Sequence, residues 1–273
     1  MYRKQRRFVK AMTAYKLFDL SGKIAVVTGG AGSYGKQIVR ALASAGATVY
    51  MASRSIEKNA DVAKTLEAEC GGRVIPEKVD LLSEESILAL CDRIYEKEGK
   101  VDILVNNAVL RCTDGYTDTA ENFDMSMRAN ATGLFVISRA FGDRMAENGS
   151  GSIINIGSYM GILGPDYSLY EGTSMYANGV PGDYFFHKGG MTNYTKFLAE
   201  HYGKHNVRCN CLELGGLFGH QPEPFVERYC KKTMLGRMAN DTDIMGAIIY
   251  LASDASAYVT GVSLPVDGGY SAK

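Results

Sequence analysis

Residues 23–46 read KIAVVTGGAGSYGKQIVRALASAG: an apolar β-branched run, a turn with glycines at 29, 30, 32 and 35, and a helical pattern from Tyr34 to Ala45. Glycine permits a tight strand-to-helix turn and lets the backbone approach a pyrophosphate, whose charge then meets the free N–H groups at the helix start. The turn's place, after a strand and before a helix, is the context a dinucleotide site requires. From here on, apolar runs alternate with longer helical patterns, which argues for βαβ units and a parallel sheet. Strands are expected near Lys23–Thr28, Thr48–Ala52, Arg73–Val79, Val101–Asn106, Ser152–Gly157, Val207–Leu212 and Ser263–Val266. Helices are expected over Tyr34–Ala45, Ile56–Cys70, Glu84–Glu98, Ala120–Glu147, Tyr184–Tyr202 and Asp241–Ser253.

This pattern describes an α/β fold of the Rossmann type, a single-domain, doubly wound sheet of seven parallel strands. The 273 residues suffice for one large domain with a substantial core, assigned to residues 17–273. Lys plus Arg and Asp plus Glu both total 30, so no global field draws the chain to nucleic acid or an anionic membrane. Residues 1–16 are strongly basic and are read as a disordered leader without a signal-peptide pattern. No run reaches the roughly 18 apolar residues of a membrane span, so a cytoplasmic protein is expected. The six cysteines form no CxxC pair. With Cys209 and Cys211 placed on opposite faces of a strand, they are read as reduced thiols. His201 and His205 stand at i, i+4 but lack an acidic partner, so no metal site is expected. Two segments break the rhythm, 160–183 and 215–233, and both follow strands. Ligands of parallel sheets sit at the carboxyl ends of strands, so these segments are expected to form the substrate pocket, with a mobile helix near Phe225–Lys232 as its lid.

Of 17 tyrosines only Tyr184 has a lysine four positions on, in YFFHK. On a helix that spacing puts both side chains on one face. The Lys188 ammonium is then expected to favour the phenolate and lower a pKa otherwise near 10, suiting Tyr184 to general acid–base work. An isolated pair of this kind is usually an amphipathic surface feature; the glycine turn upstream is what points to chemistry. The second strand ends in Ser53 and Arg54, where an NAD-selective site places an acid. A neutral residue followed by a guanidinium favours a 2′-phosphate, so NADP(H) is the expected cofactor, with NAD as the alternative.

In these motifs the chain resembles the short-chain dehydrogenase/reductase family from Leu17 to Gly269. The landmarks are TGGAGSYG, Asp80 after the third strand, NNAV at 106–109, Asn130, Ser158 in INIGS, Tyr184 with Lys188, and VDGG ending at Gly269. The resemblance implies four catalytic residues. Tyr184 exchanges a proton with the substrate oxygen, Ser158 orients the carbonyl, Lys188 holds the nicotinamide ribose and acidifies the tyrosine, and Asn130 supports a water in the relay. It further implies a cofactor cradle of Gly29, Gly32, Ser33, Tyr34, Gly35, Ser53, Arg54, Asp80, Leu81, Asn107, Ala108, Tyr184, Lys188 and Gly215. Substrate contacts are expected from Arg111, Ser158, Tyr184 and Glu213, with Asp166, Tyr167, Tyr170, His220 and Gln221 as further polar lining. Three departures stand out: Ser33 where the usual turn has glycine, Leu214 for a proline, and Tyr184 standing 26 positions after Ser158, about twice the usual separation.

Within the family, YEGTSM and QPEPF resemble enzymes of bacterial surface-sugar and flagellin-glycan pathways, and more distantly gluconate 5-dehydrogenases. The expected activity is NADP(H)-dependent interconversion of a ketone and a secondary alcohol on a sugar, sugar acid or polyol. The alternatives are a catalytically silent nucleotide-binding scaffold or sensor, and a sugar epimerase or dehydratase with bound cofactor. The expected partner is a small carbonyl or alcohol, with no nucleic acid and no membrane. Apolar positions on the helices of Asn130 and Tyr184, among them Phe135, Val136, Ile137, Phe141, Met191, Phe197 and Leu198, point to a homodimer or homotetramer.

Overall fold

The computed structural model describes residues 13–273. Most of the basic leader therefore lies outside the described residues; its last positions enter a 3-10 turn, Ala14–Phe18. Seven strands follow: β1 Ile24–Thr28, β2 Thr48–Ser53, β3 Val74–Lys78, β4 Ile103–Asn106, β5 Gly151–Ile156, β6 Val207–Leu214 and β7 Ser263–Val266. They form one parallel sheet in the order β3-β2-β1-β4-β5-β6-β7. The order reverses between β1 and β4, which opens a crevice at the carboxyl ends of those two strands.

The helices are α1 Ser33–Ser44, α2 Ile56–Cys70, α3 Glu84–Glu98, α4 Ala120–Met127, α5 Gly133–Glu147, α6 Gly182–Gly203, α7 Glu223–Lys232 and α8 Met245–Ala252. Local chemistry fixes several ends. Ser55 and Ser83 cap α2 and α3 by accepting the N–H groups of Lys58 and Ser86, and Gly71 and Gly99 end the same helices in the left-handed conformation. One face of the sheet packs Val27, Val49, Ile154 and Leu212 against α1 and α8; the other packs Val26, Leu104, Ile153 and Cys209 against α3, α5 and α6.

Two expectations are corrected here. The helix read as continuous over Ala120–Glu147 is broken by a π turn at Arg128–Thr132, where Asn130 turns its amide onto the β4–α4 loop. Such turns recur at functional sites. Cys209 and Cys211 share a face, because residues two apart on a strand point the same way. Both are buried on the α5–α6 side, and all six thiols are free.

Segment 160–183 folds over the carboxyl end of β5 through a 3-10 turn at Tyr167–Leu169. Its Leu169, Tyr170 and Val180 join Phe225 and Tyr229 of α7, together with Tyr159, Met238 and Tyr270, in a third apolar cluster. Tyr170 stacks on Phe225 at 5.5 Å, and Tyr229 on Tyr270 at 5.0 Å. Arg228 of α7 donates to the carbonyls of Leu169 and Glu171, and Lys232 pairs with Asp166. The two segments read as pocket loops thus hold each other. Among the described residues, no helix is long and apolar enough to cross a membrane.

Candidate active site

The glycine turn sits at the carboxyl end of β1. Gly29 has φ +66°, a conformation that disfavours a side chain, and a Cβ there would stand 2.9 Å from Ala108 Cα. A Cβ on Gly35 would stand 2.2 Å from the Gly29 carbonyl oxygen, so glycine is what lets α1 close onto the turn. The α1 N-cap is Gly32, with no side-chain hydrogen bond, and Gly32 and Ser33 are exposed. The first N–H groups of α1 are therefore open to an anion. Tyr34 reaches from this turn to donate to the Gly215 carbonyl at 2.9 Å, joining it to the end of β6.

At the end of β2, Ser53 donates to Asn59 Oδ1 at 2.8 Å, while Arg54 is exposed and has no ion pair among the described residues. Asp80 accepts the Leu82 N–H at 3.0 Å, and Leu81 is half-buried beside it. Asn107 donates to the carbonyls of Thr28 and Gly29 at 2.9 and 3.0 Å, and the N–H groups of Asn107 and Ala108 both donate to the Thr28 hydroxyl at 3.1 Å. These two residues lash the end of β4 to the glycine turn. An uncapped helix start, a turn that only glycine can close and an exposed guanidinium with no ion pair among the described residues together fit a dinucleotide.

One strand away, β5 ends at Ile156, and Ser158 is buried just beyond it. The turn Tyr159–Gly161 packs on α6 so closely that a Cβ at Gly161 would stand 2.9 Å from the Lys188 carbonyl. Lys188 is 3% exposed; its Nζ donates to the Ile156 carbonyl at 2.5 Å and lies 5.8 Å from the centre of the Tyr184 ring. Burial pushes the Lys188 ammonium down to about 8, Cys211 and Glu213 oppose this, and Arg111 adds to it. The unfolded lysine keeps its proton to near 10.4. The unfolded chain therefore binds that proton first as pH falls, and this burial costs stability progressively from about pH 10 down to 8.

Asn130 accepts the Leu110 N–H and donates to the Leu110 carbonyl, both at 2.8 Å, and donates to Ser126 Oγ at 3.1 Å. Ser126 and Thr113 each donate to Asp183 at 2.5 Å. Asp183 precedes Tyr184, so an unbroken chain of hydrogen bonds runs from the β4–α4 loop to the first turn of α6. The amide of Asn130 is fully committed to this clamp. Sequence reading missed Asp183, Ser126 and Thr113; the only available signal was Ser126 four positions before Asn130. It also missed His187, 4% exposed, whose ring meets Tyr184 edge-on at 5.2 Å and whose two nitrogens have no hydrogen-bond partner. Burial pushes its pKa down to about 3, so it is neutral.

The substrate side needs correction. Glu213, expected in the pocket, is 0% exposed behind Ser158, because β6 runs two residues past its expected end at Leu212 and carries Glu213 inside the sheet. Asp166 is occupied by Ser168 and Lys232, Tyr170 is in the aromatic cluster, and Gln221 bonds Gly219 and Leu217. Tyr167, His220 and Arg111 remain exposed, and of these Arg111 stands beside the tyrosine, its guanidinium 5.4 Å from the centre of the Tyr184 ring.

Fold and site together define a dinucleotide-binding α/β protein with a tyrosine–lysine pair beside the cofactor crevice. Residues 29–271 match the family model described as enoyl-(acyl carrier protein) reductase, and the chain belongs to the short-chain dehydrogenase/reductase family, whose members are NAD(P)-dependent oxidoreductases. It is 31% identical over 265 residues to D-threitol dehydrogenase of Mycolicibacterium smegmatis, covering 94% of this chain and 95% of that one. It is 30% identical over 257 residues to post-translational flagellin modification protein A of Campylobacter coli, covering 92% and 99%. A solved gluconate 5-dehydrogenase from Burkholderia cenocepacia, in complex with NADP and tartrate, superposes with a TM-score of 0.84 at 29% identity, covering 96% of this chain and 100% of that one. Relatives named for steroid and acyl-carrier substrates stand at 30% and 29% identity, so identity alone does not choose the substrate.

Proposed function

We propose that this enzyme is a cytoplasmic, NADP(H)-dependent oxidoreductase that interconverts a ketone and a secondary alcohol on a sugar, sugar acid or polyol. The observation that carries the reading is the wholly buried Lys188, anchored on the Ile156 carbonyl 5.8 Å from the Tyr184 ring, at the sheet edge where the glycine turn also ends. The nicotinamide, when bound, supplies or accepts the hydride. The chain's own residues do the rest. The Tyr184 hydroxyl gives its proton to the carbonyl oxygen as negative charge develops there, and the Ser158 hydroxyl donates a hydrogen bond to that same oxygen. The Lys188 ammonium beside the ring favours the phenolate left behind. Asn130 holds Leu110, and with it the loop that carries Arg111.

The open α1 start with Gly29, Gly32, Ser33, Tyr34 and Gly35 would hold the pyrophosphate. Ser53 and Arg54 would face the 2′-phosphate, Asp80, Leu81 and Asn107 the adenosine side, and Ala108, Gly215, Tyr184 and Lys188 the nicotinamide half. Arg111, with no ion pair among the described residues, is placed to hold a carboxylate or hydroxyls beside Tyr184. The reading is tested by following NADPH absorbance against keto-sugars and keto-acids, and NADP reduction with sugar alcohols. Turnover of a steroid ketone or an acyl thioester, with none on any polyhydroxy compound, would remove the substrate assignment. Arg111→Leu is expected to raise KM roughly tenfold or more for a sugar acid and clearly less for a neutral keto-sugar, since a hydrogen bond to a charged group contributes about 1.5–3 kcal/mol and one to a neutral hydroxyl about 0.5–1.5. Equal changes on both would reduce Arg111 to a packing role against the ring.

Of the residues read as an oligomer face, Val136, Ile137, Phe141, Met191 and Leu198 are buried in the subunit's own core, whereas Phe135 and Phe197 are 44% and 58% exposed. Phe186, also on α6, is 68% exposed, and we assign these exposed aromatics of α5 and α6 to a homodimer or homotetramer contact. Phe197→Asp should lower the mass seen by light scattering to that of a smaller species. A wild-type protein that is monomeric at micromolar concentration contradicts the assignment.

A further inference from the structure

The steps proposed above give no role to Glu213, the carboxylate buried deepest beside the site. Glu213 Oε2 accepts the Ser158 backbone N–H at 2.8 Å, and Oε1 accepts the Thr192 hydroxyl at 2.8 Å. Thr192 lies one turn beyond Lys188 on α6, and its one hydroxyl proton is shared between Glu213 and, at the longer 3.1 Å, the Lys188 carbonyl. Lys188 Nζ in turn holds the Ile156 carbonyl. Ile156 and Ser158 flank Gly157, so a cation grips one side of this glycine and an anion the other. A Cβ on Gly157 would stand 2.2 Å from Glu213 Oε2 and 2.7 Å from Cys211 Sγ, so the carboxylate has its place only because residue 157 has no side chain. Glu213 forms no ion pair among the described residues. Burying a carboxylate without a direct cation costs several kcal/mol in general, and the neighbouring positions on this face of β6, Cys209 and Cys211, carry thiols. Packing does not explain a charge here.

We propose that Glu213 is a positioning residue: through the Ser158 N–H, the Thr192 hydroxyl and its field across Gly157, it holds the Ser158 hydroxyl, which bonds the substrate oxygen, in register with the Lys188 ammonium beside Tyr184. The inference rests on the assignment of Ser158, Tyr184 and Lys188 as the reacting set. Lys188 is faced by Cys211 and Glu213 from β6, by Arg111 from the β4–α4 loop, and by Tyr184 and His187 on its own helix. The end of β5 contributes no titratable group. Burial pushes Cys211 well above the usual thiol range, so it stays neutral and Glu213 is the anion that favours the ammonium.

Glu213→Gln keeps the size and removes the charge. Its kcat should fall roughly ten- to hundredfold, the scale expected when a reacting group is misplaced by a fraction of an ångström to one ångström. The NADPH dissociation constant, read by fluorescence without substrate, should stay close to wild type, and the alkaline limb of kcat should move to lower pH because Lys188 has lost its anion. In the apoprotein the Ser158 amide proton, shifted downfield by a carboxylate acceptor, should move upfield. Gly157→Ala presses on the same carboxylate without altering any charge and should lower kcat. Thr192→Val, the arm to use if Glu213→Gln does not fold, frees one carboxylate oxygen and should lower kcat several-fold. An unchanged kcat in whichever of these variants folds overturns the proposal. So does a loss of kcat in Glu213→Gln with an unmoved alkaline limb, which would leave Glu213 a packing role alone. Either result is distinct from failure of the site itself, which would show as full turnover by Tyr184→Phe.

Discussion

Tyr184→Phe is expected to lower kcat by about 10²–10⁴-fold, the range a positioned proton donor contributes, while NADPH binds with near wild-type affinity. The substitution removes one hydroxyl from a half-buried ring whose neighbours, His187 edge-on at 5.2 Å and Arg111 above it at 5.4 Å, pack against carbon rather than oxygen. Fold and cofactor cradle are therefore left intact. Lys188 keeps its bond to the Ile156 carbonyl, since that contact does not involve the tyrosine. The variant separates chemistry from binding: fluorescence titration with NADPH reports the cradle and single-turnover NADPH oxidation reports the proton donor. A variant that turns over at a rate within a few-fold of wild type would show that the carbonyl oxygen takes its proton from elsewhere, with the Lys188 ammonium the nearest other donor on α6.

Arg54→Asp is expected to move the ratio of kcat/KM for NADPH over NADH toward NADH by roughly a hundredfold or more. Each hydrogen bond from a guanidinium to a phosphate contributes about 1.5–3 kcal/mol, and the introduced carboxylate both repels the 2′-phosphate and can accept from a 2′-hydroxyl. The position suits the swap: Arg54 is exposed just past β2, and its side chain has no ion pair among the described residues to lose. Stability should change little, as is usual for exposed sites. A wild-type enzyme that already prefers NADH, or a variant whose preference does not move, would remove Arg54 from the cofactor site.

Much of the architecture was legible because burial on both faces writes parallel strands as apolar runs. The runs at Ile24–Thr28 and Thr48–Ser53 announce β1 and β2 almost to the residue, and the short run Ser263–Val266 marks β7 although that edge strand is only partly buried. The end of β6 was not legible. Glu213 and Leu214 look like the start of a polar loop, yet pairing with β7 through Pro265 and Val266 extends the strand over them, and a carboxylate that sequence reading offers to substrate becomes part of the scaffold. Pairing partners distant in sequence decided that outcome, and no local pattern carries them. The polar loop residues failed for a related reason. Asp166, Tyr170 and Gln221 have the chemistry of a sugar pocket, but the extra length between Ser158 and Tyr184 folds onto α7, where the Lys232 ammonium and the aromatic cluster take up Asp166 and Tyr170, while Gln221 closes its own loop on Gly219 and Leu217. The π turn at Asn130 was hidden in a segment whose periodicity is helical on both sides. What remained legible was the Tyr184–Lys188 pair, because its meaning depends only on the 3.6-residue helical repeat.

A crystal structure of the NADPH complex measures where the bound dinucleotide lies. The expected placement has the pyrophosphate at the amino end of α1, the 2′-phosphate within reach of Arg54, and the nicotinamide ring beside the Tyr184 hydroxyl with Lys188 against its ribose. A nicotinamide ring far from Tyr184, or an enzyme that turns over with Tyr184 and Lys188 directed away from the cofactor, would contradict it.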